Sequence, residues 1–365
     1  MDAVAPDRPF VVAFLISAAA ITIGLIWDIS WDMSFGRDSF WSPPHLAVNL
    51  GGALAAATAA VWAARATRRG DSWTVSLGRV RIPLGAAVAL WGSAAMLAAG
   101  GLEMAWSSAY GMALGSWTPP QVVFTVAVSA VLAGIVLAAA SRTAAGPAFA
   151  MPCAFGMALV FAALALAPYS LPNLQHGTLF FVVSSAVFPL LLAWAARAAA
   201  GRAATRAAVV YTAIVCLMIW VLPFVPARAL IGPVFEKIDH MVPPRFPLLL
   251  VVPAFLFDRT LAGKARATKG AWITAAILGA LFTAAFILVQ WNFAAFLLSP
   301  ASDGRFFAGG GRHWPFYVDI GEERRQFWDA QERLTVWTAA GCVLLAAVSA
   351  RLGLALGRFT QGLQR

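Results

Sequence analysis

Two carboxylates and an imidazole stand at spacings that could hold a metal ion. Asp28 and Asp32 are four residues apart, and His45 follows in the run DISWDMSFGRDSFWSPPH that ends on it. On a continuing helix, side chains four apart lie one above the other on one face. Stacked carboxylates at a membrane boundary repel each other and are costly to bury. A cation, a bound proton or Arg37 has to offset that cost. Pro43 and Pro44 suit an extended turn, after which a helix can start at or near His45. Such a turn brings the His45 ring back toward the end of the first element. The expected result is an Asp28–Asp32–His45 cluster, with three potential metal ligands on two rigid elements. Arg37 and Asp38 stand beside it as outer-shell partners, and Gly36 permits the turn.

The elements that carry these residues are membrane spans. Hydrophobic residues make up 61% of the 365-residue chain and charged residues 12%, and the mean hydropathy is +0.78. A soluble domain needs far more charge to cover its surface. Uncharged runs such as 10–27, 46–64, 82–102 and 207–225 are each about long enough to cross ~30 Å of hydrocarbon. The first run ends on Asp28 and Asp32 rather than on a small-residue cleavage site, so it reads as a span and not as a cleaved signal. The pattern predicts an all-α integral membrane protein, a single transmembrane domain over 1–365. Ten spans are expected, at roughly 9–31, 45–64, 82–106, 121–141, 148–168, 178–196, 207–225, 246–262, 271–297 and 334–357. Cys153, Cys216 and Cys342 all fall inside apolar spans and read as small core residues.

Charge sets the expected orientation. Arg65, Arg68, Arg69, Arg79, Arg81, Arg197, Arg202, Arg206, Arg259, Lys264, Arg266 and Lys269 all fall on one side of a ten-span count. By the positive-inside rule that side and both termini are cytoplasmic, in a bacterial inner (plasma) membrane. The net charge of +10 therefore orients the chain in a lipid bilayer, and no basic cluster interleaves with aromatics as nucleic-acid binding would require. The opposite, periplasmic side holds His45, His176, His240 and His313, with most of the acidic residues. Imidazole and carboxylate handle metals and protons. Glu103, near the outer end of the third span, is either a proton relay or outer-shell partner, or an interfacial carboxylate beside Trp106. Asn173 with His176, and Asp239 with His240, are weaker ligand candidates, and loop polarity is the plainer reading of both. The longest outer segment, 300–333, reads as a periplasmic loop, with an interfacial amphipathic helix over Glu322–Arg333 and His313-Trp314 as a headgroup anchor. There is no nucleophile–base pair, no phosphate loop and no haem-type spacing.

The 28–45 run resembles the copper-site segment of the C subunit of particulate methane and ammonia monooxygenases, the copper membrane monooxygenases. That family carries Asp, then His four residues on, then His thirteen further. Asp28, Ser30, Trp31, Met33, Arg37, Asp38, Pro43 and His45 match its context with the spacing kept. The resemblance implies that Asp28 and His45 are ligands of a mononuclear site, with copper as the metal. Asp32 replaces the family's first histidine. An Asp₂His set is harder than the family's and also suits zinc, manganese or iron. The family's further metal position has no clean counterpart, because Asn173 and His176 are three apart. The resemblance implies a metal-binding membrane subunit, working with other membrane subunits or as a homo-oligomer, that activates O₂ if it is an enzyme. Two other classes stay open: a non-catalytic assembly or scaffold subunit with a degenerate site, and a metal or small-solute permease.

Overall fold

A computed structural model describes residues 8–36, 39, 41–70, 74–111, 118–140, 149–199, 201–232, 234, 239–262, 270–304, 307–308 and 333–363. The described residues include ten α-helices: α1 (Arg8–Phe35), α2 (Pro43–Arg69), α3 (Leu84–Tyr110), α4 (Pro119–Ala140), α5 (Ala150–Ala165), α6 (Thr178–Ala198), α7 (Ala203–Val221), α8 (Val251–Leu261), α9 (Ala271–Leu297) and α10 (Val336–Gly362). Eight of them are long and apolar enough to cross a membrane. The chain is thus an all-α, multi-pass membrane protein. The other two, α5 with 16 residues and α8 with 11, stand at the fifth and eighth expected spans. Both are shorter than the ~20 residues a straight crossing takes. Of the expected helix at Glu322–Arg333 only Arg333 is described, in an antiparallel bridge with Gly177, and Arg37, Asp38 and His313 lie outside the described residues.

Two compact units are formed, one by 1–24, 40–161 and 359–365, the other by 25–39 and 162–358. In the first, small residues let helices meet backbone to backbone. A Cβ placed on Gly134 of α4 would lie 2.5 Å from the Ala89 nitrogen of α3, and one on Gly92 would lie 2.6 Å from the Val131 nitrogen. Lipid tails are as apolar as leucine, so close backbone approach, not water exclusion, holds such a pair together. On α1 and α2, the Ser17 hydroxyl donates to the Gly51 carbonyl at 2.6 Å. Phe10 and Phe14 pack on Trp62. Gly70, at φ 74°, ends α2 and leads to an antiparallel hairpin of β1 (Thr74–Leu77) and β2 (Val80–Pro83). Arg81 ties that hairpin back, its backbone N–H donating to the Thr67 hydroxyl at 2.9 Å.

The second unit is built around buried phenylalanines: Phe180, Phe181 and Phe188 of α6, Phe257 of α8, and Phe282 and Phe286 of α9. The start of α7 is met by a carboxylate from α8. Asp258 of α8 accepts from the Thr205 backbone N–H at 2.8 Å and the Thr205 hydroxyl at 2.6 Å, at the start of α7. A carboxylate there meets unsatisfied N–H groups and the positive end of the helix dipole. Asp258→Ala is expected to cost about 1–2 kcal/mol, and Asp258→Asn, which keeps an acceptor, less. Thermal unfolding in detergent checks the order.

The expected eighth span, 246–262, is only partly helical. Residues 241–250 lie outside helix and strand and are largely buried, and α8 starts at Val251. Pro243, Pro244 and Pro247 explain the break, since each lacks a backbone donor and pushes the residue before it out of helical geometry. Non-helical backbone is tolerated at this depth only where protein or trapped water satisfies it.

Candidate functional site

Residues 28–35 end α1 and residues 43–45 begin α2, and Arg37, Asp38 and Phe40 between them lie outside the described residues. α1 continues through Asp28 and Asp32 to Phe35, so the two carboxylates share one helix at one-turn spacing. Trp27, Trp31 and Phe35 form an aromatic ladder along the same stretch, with ring centroids 6.3 and 4.3 Å apart. Gly36 takes φ 66°, the left-handed geometry that ends the helix. α2 then starts with Pro43 and Pro44 at its first positions and His45 in its first turn. Asp28 is half-buried with its Oδ1 shielded, Asp32 is exposed and His45 is half-buried.

Asp28 and Asp32 belong to one compact unit and His45 to the other. The donor types suit a borderline to hard metal ion. Among the described residues, however, no group of three or more His, Cys, Asp or Glu side chains is placed to hold one. No reaction step is therefore derived through a metal.

Within the second unit the C-terminal end of α1 is pinned to the segment before α8. The Ser34 hydroxyl accepts from the Val242 N–H at 2.8 Å and donates to the Ser30 carbonyl, while the Phe35 carbonyl accepts from the Leu230 N–H at 2.9 Å. Asp239 and His240 stand two to three residues from that tether. The His240 Nδ1 lies 3.1 Å from the Asp239 carboxylate, which is fully exposed. The Asp239 carbonyl accepts from the Ala227 N–H at 3.0 Å, and His240 stands opposite Pro226 in an antiparallel bridge. His176 is committed elsewhere. Its Nε2 lies 3.1 Å from the Trp291 carbonyl, and its ring packs edge-on to Trp291 at 4.3 Å. Asn173 is exposed on a 3₁₀ turn. Glu103, in the first unit, is half-buried and accepts from the Gln121 side chain at 3.4 Å.

The most connected polar site was not among the sequence candidates. Gln290 of α9 is 1% exposed and Gln175 is 2% exposed. The Gln290 amide donates to Gln175 Oε1 at 2.7 Å, and its own Oε1 accepts from the Leu249 N–H at 2.9 Å. The fully buried Tyr211 of α7 accepts from the Leu248 N–H at 2.8 Å. The Arg245 guanidinium reaches the Ala167 carbonyl at 2.6 Å. Ser34 of α1, Tyr211 of α7, Gln290 of α9 and the Val225 carbonyl thus accept from the N–H groups of Val242, Leu248, Leu249 and Met241. A glutamine inside an apolar span was the available signal. It carries no charge, and metal-ligand spacing does not include it.

No family model, no curated protein and no solved structure matches this chain.

Proposed function

We propose that this chain is a membrane subunit related to the C subunit of copper membrane monooxygenases, with residues 28–45 as its metal-binding segment. Asp28 and His45 are its ligands by resemblance, and Asp32 takes the third position. A bound metal would supply a Lewis-acid or redox centre at the outer boundary. The observation that supports the reading is local: one helix carries both carboxylates at one-turn spacing, and the next helix has His45 in its first turn. The chain crosses the inner membrane ten times with both termini cytoplasmic, which requires α5 and α8, lengthened by their flanking turns, to cross as well. Copper is the first metal to test, then zinc, manganese and iron. Added metal is expected to raise the thermal midpoint of the detergent-solubilised protein, and His45→Ala and Asp28→Asn are each expected to remove most of the gain. Unchanged gains in both variants would reject the ligand assignment.

Two observations favour other readings. Three donors do not gather among the described residues, which favours a non-catalytic subunit whose site has degenerated. The partly helical eighth span favours a metal or small-solute permease, because discontinuous helices build the solute sites of many transporters.

A further inference from the structure

α9 and α10 touch backbone to backbone and then part. A Cβ on Gly279 of α9 would lie 2.5 Å from the Ala347 nitrogen and 2.8 Å from the Val343 carbonyl oxygen of α10. Helices that cross at an angle separate with distance from the crossing. Roughly 12–20 Å along each helix, at ~1.5 Å rise per residue, they bound an open wedge. Its volume is about 440 Å³, and its walls include Ile287, Leu288 and Trp291 on α9 and Leu334, Val336 and Ala339 at the start of α10. One short segment is tied to both arms. The His176 carbonyl accepts from the Leu334 N–H at 3.3 Å, and the His176 ring packs edge-on to Trp291 at 4.3 Å. The Thr178 hydroxyl donates to the Arg333 carbonyl at 3.3 Å. The wedge is therefore built into the second unit, at a size within the ~300–1,000 Å³ of ligand sites.

The walls are mostly apolar, and the polar groups among them are already engaged. The Asn292 amide donates to the Leu288 carbonyl at 2.6 Å. The Thr335 hydroxyl accepts from the Thr338 N–H at 3.2 Å, in a reciprocal cap at the start of α10. A water molecule there would need roughly 2–4 polar partners, which these walls do not offer. An unfilled wedge would cost its lining the dispersion contacts of one side. The wedge is continuous with the face that the spans present to lipid: Leu288 is 67% exposed, Val336 83%, and Leu344, further along α10, 71%. A site that opens on lipid and asks for no directional hydrogen bond selects hydrocarbon over a polar or charged solute.

We propose that the α9–α10 wedge holds an acyl chain of a membrane phospholipid, recognised by its hydrocarbon whatever its headgroup and retained through purification. The site does not involve residues 28–45. The intact chain is purified in neutral detergent with extensive washing, beside two variants. Ala339→Phe fills the wedge, and Leu344→Phe adds the same ring to α10 on its lipid-facing side, outside the wedge. Native mass spectrometry is expected to find about one phospholipid on the intact chain and on Leu344→Phe, and little on Ala339→Phe. A phospholipid with a diazirine on one acyl chain is expected to label 287–292 and 334–339 of the intact protein above its other lipid-facing spans. Phosphatidylcholine and phosphatidylglycerol should raise the thermal midpoint of delipidated intact protein alike, and glycerophosphocholine, a headgroup without chains, should leave it unchanged. Intact protein that carries no phospholipid after washing, equal retention by Ala339→Phe, or label spread evenly over the spans would each overturn the site. A full shift from glycerophosphocholine would overturn the acyl chain as the part recognised.

Discussion

Gly134→Leu is expected to abolish accumulation of folded protein, while Gly101→Leu, on the partner helix α3, leaves it near normal. Gly134 sits where α4 crosses α3, and a Cβ there would lie 2.5 Å from the Ala89 nitrogen and 2.8 Å from the Gly85 carbonyl oxygen. Those atoms are backbone, so they cannot swing aside as a flexible side chain would. The helices would have to separate, and Gly85 and Gly92 would lose their contacts along the same seam. Overpacking of a close core costs about 1–3 kcal/mol where side chains give way, and a backbone clash exceeds that range. At Gly101 nothing lies within 4 Å of the added Cβ, and an apolar side chain there faces open space. Detergent-extracted yield and a monodisperse elution profile check the contrast. Equal yields would mean that α3 and α4 do not meet through their glycines.

Gln290→Leu is expected to destabilise the second unit by several kcal/mol. The leucine is close in size and apolar, so the loss is of hydrogen bonding. It strands the Leu249 N–H and the Gln175 side-chain oxygen, both held by Gln290. Each stranded buried group costs about 1–3 kcal/mol. Adding Gln175→Leu removes the second stranded group, so the double variant should be less impaired than the sum of the singles. Thermal midpoints of the three variants measure that coupling, and strict additivity would refute a direct amide pair. Under the permease reading, Gln290→Leu also stops metal uptake by proteoliposomes, because it frees the non-helical segment at the helix break.

Apolar periodicity and span length were legible wherever a helix runs unbroken. The expected 271–297 span is α9 to the residue, and the expected 178–196 span matches α6 to within its last turn. The end of α1 at Gly36 and the start of α2 at Pro43 were equally legible, because glycine and proline mark them through local geometry alone. At the eighth span a hydropathy window counts Pro247 as an ordinary residue, although proline removes a donor and bars its predecessor from helical geometry, and the helix starts only at Val251. The split into two units was hidden for another reason. It depends on which helices meet through Gly92, Gly134, Gly279 and Gly353, and the sequence does not state their partners. Tyr211, Gln175 and Gln290 gain their roles only from the non-helical chain they hold.

The metal assignment rests on Asp28, Asp32 and His45 acting as one ligand set. Elemental analysis of the purified, detergent-solubilised protein tests it directly. The account predicts about one transition-metal ion per chain, with copper first, and its loss in His45→Ala while the variant keeps its elution profile and helical content. Protein that carries no metal, or the same metal content with and without His45, would contradict it.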